Sequence, residues 1–242
     1  MLKHHLLIGS GRAFQLRYQS ALWVLVALVL VPVIAAAHNI SGANASFVQE
    51  LSGSAPVPFM YLGAKHMVSG YDHILYLLGV VFFLGRFRDV LIYVTLFTLG
   101  HSITLMGGVL LNVSVNAYLV DTVIGLSVAY KAFENIDGFK QVFGVQPGAR
   151  IAVFIFGLCH GLGLATKVQQ LSLSSESLLT NMLSFNIGVE TGQAIALTII
   201  VLMLLQWRRR DDFQHHAFIA NTLLMSAGFV LAGYQFAGYL WN

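Results

Sequence analysis

The sequence predicts an all-α membrane protein, a bundle of six transmembrane helices that follows a cleavable signal peptide. Hydrophobic residues make up 57% of the 242 residues, and the mean hydropathy is +0.76. Charged residues make up only 10% of the chain, whereas a soluble domain has about 25%. Apolar runs long enough to cross the hydrocarbon core recur after the N-terminal region. Together these observations exclude an ordinary soluble domain.

The first 37 residues have the parts of a secretory signal peptide. A leader with several basic residues precedes an apolar run over 21–34, and the small residues Ala35 and Ala37 provide a cleavage site. We expect cleavage after Ala37, with an uncleaved anchor as the alternative. Residues 38–59, rich in Ser, Gly, Asn and Pro, then form a short periplasmic segment.

Six apolar runs follow the periplasmic segment, and each is about as long as a spanning helix. They define a transmembrane domain over 60–242 and cover residues 60–84, 90–112, 117–135, 150–168, 178–205 and 216–240.

The basic residues predict the orientation of these helices. Alternate loops contain an excess of Lys and Arg and should be cytoplasmic; they contain Arg86 and Arg88, Lys140 and Arg150, and Arg208, Arg209 and Arg210. The mature N-terminus then lies outside, as cleavage of a signal peptide also requires. We expect a multi-pass protein of the bacterial inner membrane with both mature termini in the periplasm. The scattered basic residues do not predict nucleic-acid binding, which needs a basic patch.

Ionisable side chains inside the predicted helices indicate a shared site. At 1.5 Å of rise per residue, four helices place such a side chain near mid-membrane, and His66 lies nearer the outer end of the first helix. Each costs about 3 kcal/mol or more unless it faces the bundle interior and finds a partner. Imidazole and carboxylate groups bind first-row divalent metals. The predicted ligands are His66, Asp72, His73, His101, His160 and Glu190.

Further polar residues accompany these predicted ligands. Asn186 and Gln193 flank Glu190 on one predicted helix, and Thr98 and Ser102 flank His101 on another. We expect these four side chains to support the site or line a pathway. Asp121 lies near the outer end of the third predicted helix, where a vestibule carboxylate and an ordinary helix-start residue are both consistent with the sequence.

Four motifs that contain these residues resemble a known family. They read "HMVSGYDHILYLL", "TLFTLGHSITL", "FGLCHGLGLA" and "LSFNIGVETGQ". They resemble the HupE/UreJ proteins, in particular the second, less characterised branch of that family. These membrane proteins are associated with hydrogenase and urease systems and are regarded as nickel permeases. The resemblance maps the family's histidine, aspartate and glutamate positions onto the six predicted ligands.

The leading hypothesis is therefore a secondary transporter, and not an enzyme, for a divalent transition metal. The resemblance implies nickel or cobalt, while the ligands also suit zinc, copper or iron. One alternative is an intramembrane hydrolase that holds zinc, and another is a metal sensor or assembly factor. The expected partners are the metal ion and membrane lipids but no nucleic acid. The sequence does not decide whether the chain self-associates or binds a partner subunit.

Overall fold

The computed structural model describes residues 53–169 and 177–241, and within these ranges all regular secondary structure is helical. The prediction of an all-α protein is confirmed for this part of the chain. The predicted signal peptide and most of the predicted periplasmic segment lie outside the described residues. The helices are α1 (Pro56–Ser69), α2 (Tyr71–Val81), α3 (Phe87–Leu110), α4 (Ala117–Asn135), α5 (Gly138–Phe143), α6 (Ala149–Gln169), α7 (Leu178–Trp207) and α8 (Phe213–Trp241).

Four of the described helices, α3, α6, α7 and α8, are long and apolar enough to cross a membrane. They correspond to the second, fourth, fifth and sixth apolar runs of the sequence. The first run is divided into helices of 14 and 11 residues. The third run forms α4, which has 19 residues but includes Asp121, Lys131 and Glu134. By length and composition, the structure therefore supports four of the six predicted spans.

The first run is broken at Gly70, where the sequence predicts a continuous helix. Gly70 has φ −74° and ψ 102°, an extended conformation between α1 and α2. Its N–H donates to the His66 carbonyl at 2.9 Å, and its own carbonyl accepts from the Ile74 N–H at 3.1 Å. The break therefore keeps these backbone groups hydrogen-bonded, as a nonpolar environment requires.

The longer helices pack in three close pairs: α1 with α7, α3 with α6, and α4 with α8. In each pair a glycine of one helix lies directly against the backbone of the other, the close approach that small residues permit in membranes. In the first two pairs, later residues of one helix contact later residues of the other, so the two helices are parallel. In the third pair this order is reversed, so α4 and α8 are antiparallel. The contacts are Gly188 with Met60, Gly157 with Phe97, and Gly228 with Ala129.

The short helix α2 lies among these pairs and contacts α1, α4, α7 and α8. Arg208, just beyond α7, binds the C-terminal end of α2. Its guanidinium donates to the carbonyls of Val81, Phe82 and Leu84, each at 2.6 Å. A cation at this position satisfies carbonyls that the helix itself leaves without a donor, and it complements the helix dipole.

The Arg208 contact predicts that Arg208 contributes more to stability than its neighbour Arg209. We expect Arg208→Met to lower the free energy of unfolding by about 2 kcal/mol or more, because it removes charge-assisted hydrogen bonds. Arg209 is exposed, so Arg209→Met should change stability by less than about 0.5 kcal/mol. Thermal unfolding of both variants in detergent measures the difference. Equal losses would show that Arg208 does not hold α2.

Candidate metal centre

A buried aspartate and two buried histidines meet at the start of α2. Asp72, His73 and His160 are 6%, 3% and 2% exposed. Each offers one ligand atom, and these atoms all lie within 4.8 Å of one another. Two imidazoles and a carboxylate at this spacing can bind one divalent transition metal. We call these three residues the metal cluster.

The break at Gly70 brings Asp72 and His73 into the first turn of α2. One Asp72 carboxylate oxygen, Oδ1, accepts from the His73 backbone N–H at 2.7 Å and lies 2.8 Å from the His73 ring nitrogen Nδ1. The positive end of the α2 dipole favours a carboxylate here. With the Nδ1 proton donated to Asp72, the lone pair of His73 is on Nε2, the nitrogen that would bind a metal.

His160 reaches the cluster from α6. Its Nδ1 lies 2.7 Å from the Phe156 carbonyl one turn earlier, and its ring centroid lies 5.1 Å from that of His73. A carbonyl can only accept, so this contact assigns the proton to Nδ1 and the lone pair to Nε2. The same tautomer therefore suits both histidines as ligands.

Two further histidines flank the cluster. The His66 ring on α1 lies 4.9 Å from the His73 ring, and the His101 ring on α3 lies 6.5 Å from it. His101 is 1% exposed, and neither of its ring nitrogens has a hydrogen-bond partner among the described residues. Leaving such groups buried without a partner costs about 1–3 kcal/mol. His66 and His101 therefore both lie beside His73.

A pocket opens beside the cluster and contains an ion pair. Lys167 on α6 and Asp121 on α4 line it together with His66 and the three cluster residues. The Lys167 ammonium lies 2.9 and 3.1 Å from the two Asp121 carboxylate oxygens. Asp121, which the sequence leaves open between two roles, therefore lies in the pocket wall.

The other predicted polar residues join α3 to α7 beside the cluster. The Thr98 hydroxyl donates to Oε1 of Gln193 at 2.9 Å, and the Ser102 hydroxyl donates to Oδ1 of Asn186 at 3.4 Å. Gln193 and Asn186 are 0% and 7% exposed. These side chains support helix packing and do not line the pocket.

Glu190 does not join the cluster in the structure. Its side chain is exposed on α7, although the sequence predicts that it shares a polar stripe with Asn186 and Gln193. At 100° per residue, Glu190 lies about 40° around the helix from Asn186. That rotation is sufficient to carry its carboxylate from the interior to the outer surface of the bundle.

Comparison with known proteins gives one result that agrees with this geometry. The family model described as HupE / UreJ protein matches residues 42–242. The chain belongs to the HupE/UreJ family. No curated protein and no solved structure matches the chain. The predicted resemblance is confirmed, and family membership together with the apolar helices indicates a multi-pass membrane protein related to nickel or cobalt.

The sequence predictions give no role to three buried residues of this HupE/UreJ protein, namely Tyr76, Lys131 and Glu134. The Tyr76 ring lies 5.6 Å from the His160 ring. Lys131 and Glu134 form a buried ion pair on α4. The sequence contains a signal for the ion pair, because two charged residues occur within an apolar run. Tyr76 gave no such signal, since tyrosine is common in buried helices.

Gly70 provides a test of the cluster geometry. A Cβ at position 70 would lie 2.6 Å from Nδ1 of His73 and 3.2 Å from Oδ1 of Asp72. The Cβ would also lie 3.0 Å from the His66 carbonyl oxygen. The backbone conformation is open to alanine, so Gly70→Ala acts through these contacts and should displace the His73 ring, the nearest group. We expect the affinity for Ni²⁺ or Co²⁺ to fall about tenfold or more.

The matched control for this test is Gly107→Ala, because a Cβ at Gly107 would meet nothing within 4 Å. Equilibrium binding to the purified proteins by calorimetry measures both affinities. An unchanged affinity in Gly70→Ala would show that metal does not bind through His73.

Proposed function

We propose that this HupE/UreJ protein is a permease for a divalent transition metal, with nickel or cobalt as the first candidates. The observation that carries the proposal is the buried metal cluster of Asp72, His73 and His160, built where a membrane segment breaks in two. The metal ion is the transported substrate in this proposal.

The ligand types favour a late first-row metal over magnesium or calcium. Imidazole nitrogen suits nickel, cobalt, zinc and copper, whereas magnesium and calcium prefer sites made of oxygen ligands. The single carboxylate of Asp72 offsets part of the charge of a divalent ion. His66 and His101 lie close enough to replace a cluster ligand, and such exchange lets an ion enter and leave without losing all its ligands at once.

The broken segment supports transport. In secondary transporters, substrate sites often lie where a membrane helix is interrupted, because the interruption releases polar groups at mid-membrane depth. Here α1 and α2 would together form one crossing and α4 another, which gives six crossings with the four long helices. Consecutive crossings of a membrane run in alternate directions. The parallel pairs α1 with α7 and α3 with α6, and the antiparallel pair α4 with α8, fit this alternation.

In this topology both mature termini face the periplasm and the Lys- and Arg-rich loops face the cytoplasm of a bacterial cell. The pocket with Asp121 and Lys167 then faces the periplasm. A metal ion would enter there, contact His66 and bind at the cluster.

Proteoliposome uptake with Ni²⁺, Co²⁺ and Zn²⁺ tests the proposal. We expect Asp72→Asn and His73→Ala each to lower uptake about tenfold or more, since each removes a ligand or the group that orients it. His215 is exposed and far along the sequence from the cluster, so His215→Ala should transport at the wild-type rate.

Two outcomes would contradict a permease that binds its ion at the metal cluster. Uptake at the wild-type rate by both cluster variants would exclude the cluster from the path. Stoichiometric zinc that survives chelation, with no uptake of any ion, would favour a hydrolase, because a catalytic metal is held and a transported ion is released.

A further inference from the structure

An ion pair is buried in α4 beyond the metal cluster. The Lys131 ammonium lies 3.1 Å from Oε2 of Glu134, and each residue is 8% exposed. Removing two charges from water costs several kcal/mol per ion, and their attraction often does no more than offset this cost. A buried pair in a proposed membrane segment is therefore a weak source of stability.

The ion pair lies further along α2 than the cluster. The Lys131 side chain packs against Gly79, and the Asn135 side chain donates to the Gly79 carbonyl at 2.8 Å. Gly79 is six residues beyond His73, which is about 9 Å along a helix. Asp121, in the pocket wall, is thirteen residues before Glu134, or about 20 Å along α4. The ion pair and Asp121 are therefore on opposite sides of the cluster.

Tyr76 occupies the interval between the cluster and the ion pair. It lies one turn after Asp72 and His73 and one turn before Gly79, and it is 0% exposed. Its hydroxyl has no hydrogen-bond partner among the described residues. The Tyr76 ring lies 5.6 Å from the ring of His160, a cluster residue. A buried tyrosine thus lies between the cluster and the level at which Lys131 packs against Gly79.

We propose that Glu134 is a second cation site on the path, and that the Lys131 ammonium is its resident occupant. This inference rests on the proposed permease function. A metal ion that leaves the cluster passes the Tyr76 hydroxyl and exchanges with the ammonium at the Glu134 carboxylate. Lys131 then acts as a tethered competitor for the site.

The chemistry of the second site suits release. An oxygen site binds nickel or cobalt less tightly than an imidazole site, and competition by the ammonium weakens it further. Conduction through successive sites requires binding that is strong enough for entry and weak enough for exit. A lysine that returns to Glu134 as the ion departs would satisfy both requirements.

The number of metal ions bound per chain tests the second site directly. With Ni²⁺ or Co²⁺ as the probe, we expect one ion per chain in the wild type and two in Lys131→Met, which uncovers the Glu134 carboxylate. The double variant Lys131→Met/Glu134→Gln should return to one ion. Lys140 is an exposed lysine, so Lys140→Met is the matched control for loss of a positive charge and should bind one ion.

Uptake by the double variant separates a transport role from a structural one. A single variant leaves one buried charge without its partner, which destabilises the fold. The double variant removes both charges and avoids this cost. We expect uptake about tenfold or more below the wild type, with cluster affinity unchanged. Wild-type uptake by the double variant, or one ion bound to folded Lys131→Met, would overturn the second site. Absence of uptake by the wild type would instead overturn the permease, while the stoichiometry of Lys131→Met would still report on Glu134.

Discussion

The hydrogen-bonded contact between Asp72 and His73, at the break after Gly70, is the constraint on which the rest of the site depends. A carboxylate is costly inside a membrane unless its oxygens are satisfied. Here the α2 N-terminus supplies a backbone N–H at 2.7 Å, and the His73 ring supplies a second contact at 2.8 Å. A continuous helix would have used that N–H internally. The break therefore makes a buried carboxylate tolerable and, through it, fixes the tautomer of a neighbouring ligand.

The surrounding helices hold the broken segment at both ends. Three close pairs, each with a glycine against a neighbouring backbone, form the framework around α2. The Arg208 guanidinium binds the carbonyls at the C-terminal end of α2, while Asp72 interacts with its N-terminal end. Charged side chains thus hydrogen-bond backbone groups at both ends of α2, a short helix that would fray by itself. The position of His73 relative to His160 then follows from the packing of α2 against fixed neighbours.

The sequence predicted the composition of the site better than its shape. Charge-poor apolar runs predicted the helical class and four of the six spans. Of the six predicted ligands, the structure brings His66, Asp72, His73 and His160 together around one pocket. The prediction of a continuous first helix was wrong, because a glycine between apolar turns does not distinguish a packing contact from a break. Glu190 was expected inside the bundle and is exposed. In membranes the lipid is as apolar as the helix interfaces, so periodicity carries little information on which side of α7 faces inward.

The proposed permease must move an ion past the second half of the broken segment, which has no acidic, basic or histidine side chain from Ile74 to Gly85. The neighbouring helix supplies the missing charges. Near its start Asp121 pairs with Lys167, and near its end Glu134 pairs with Lys131, with the cluster between these levels. Each carboxylate is neutralised by the ammonium group of a lysine in the same chain. In the proposed permease, a polar route beside α2 along α4 would therefore need no charge on α2 itself, and the lysines would keep each carboxylate paired between transport events.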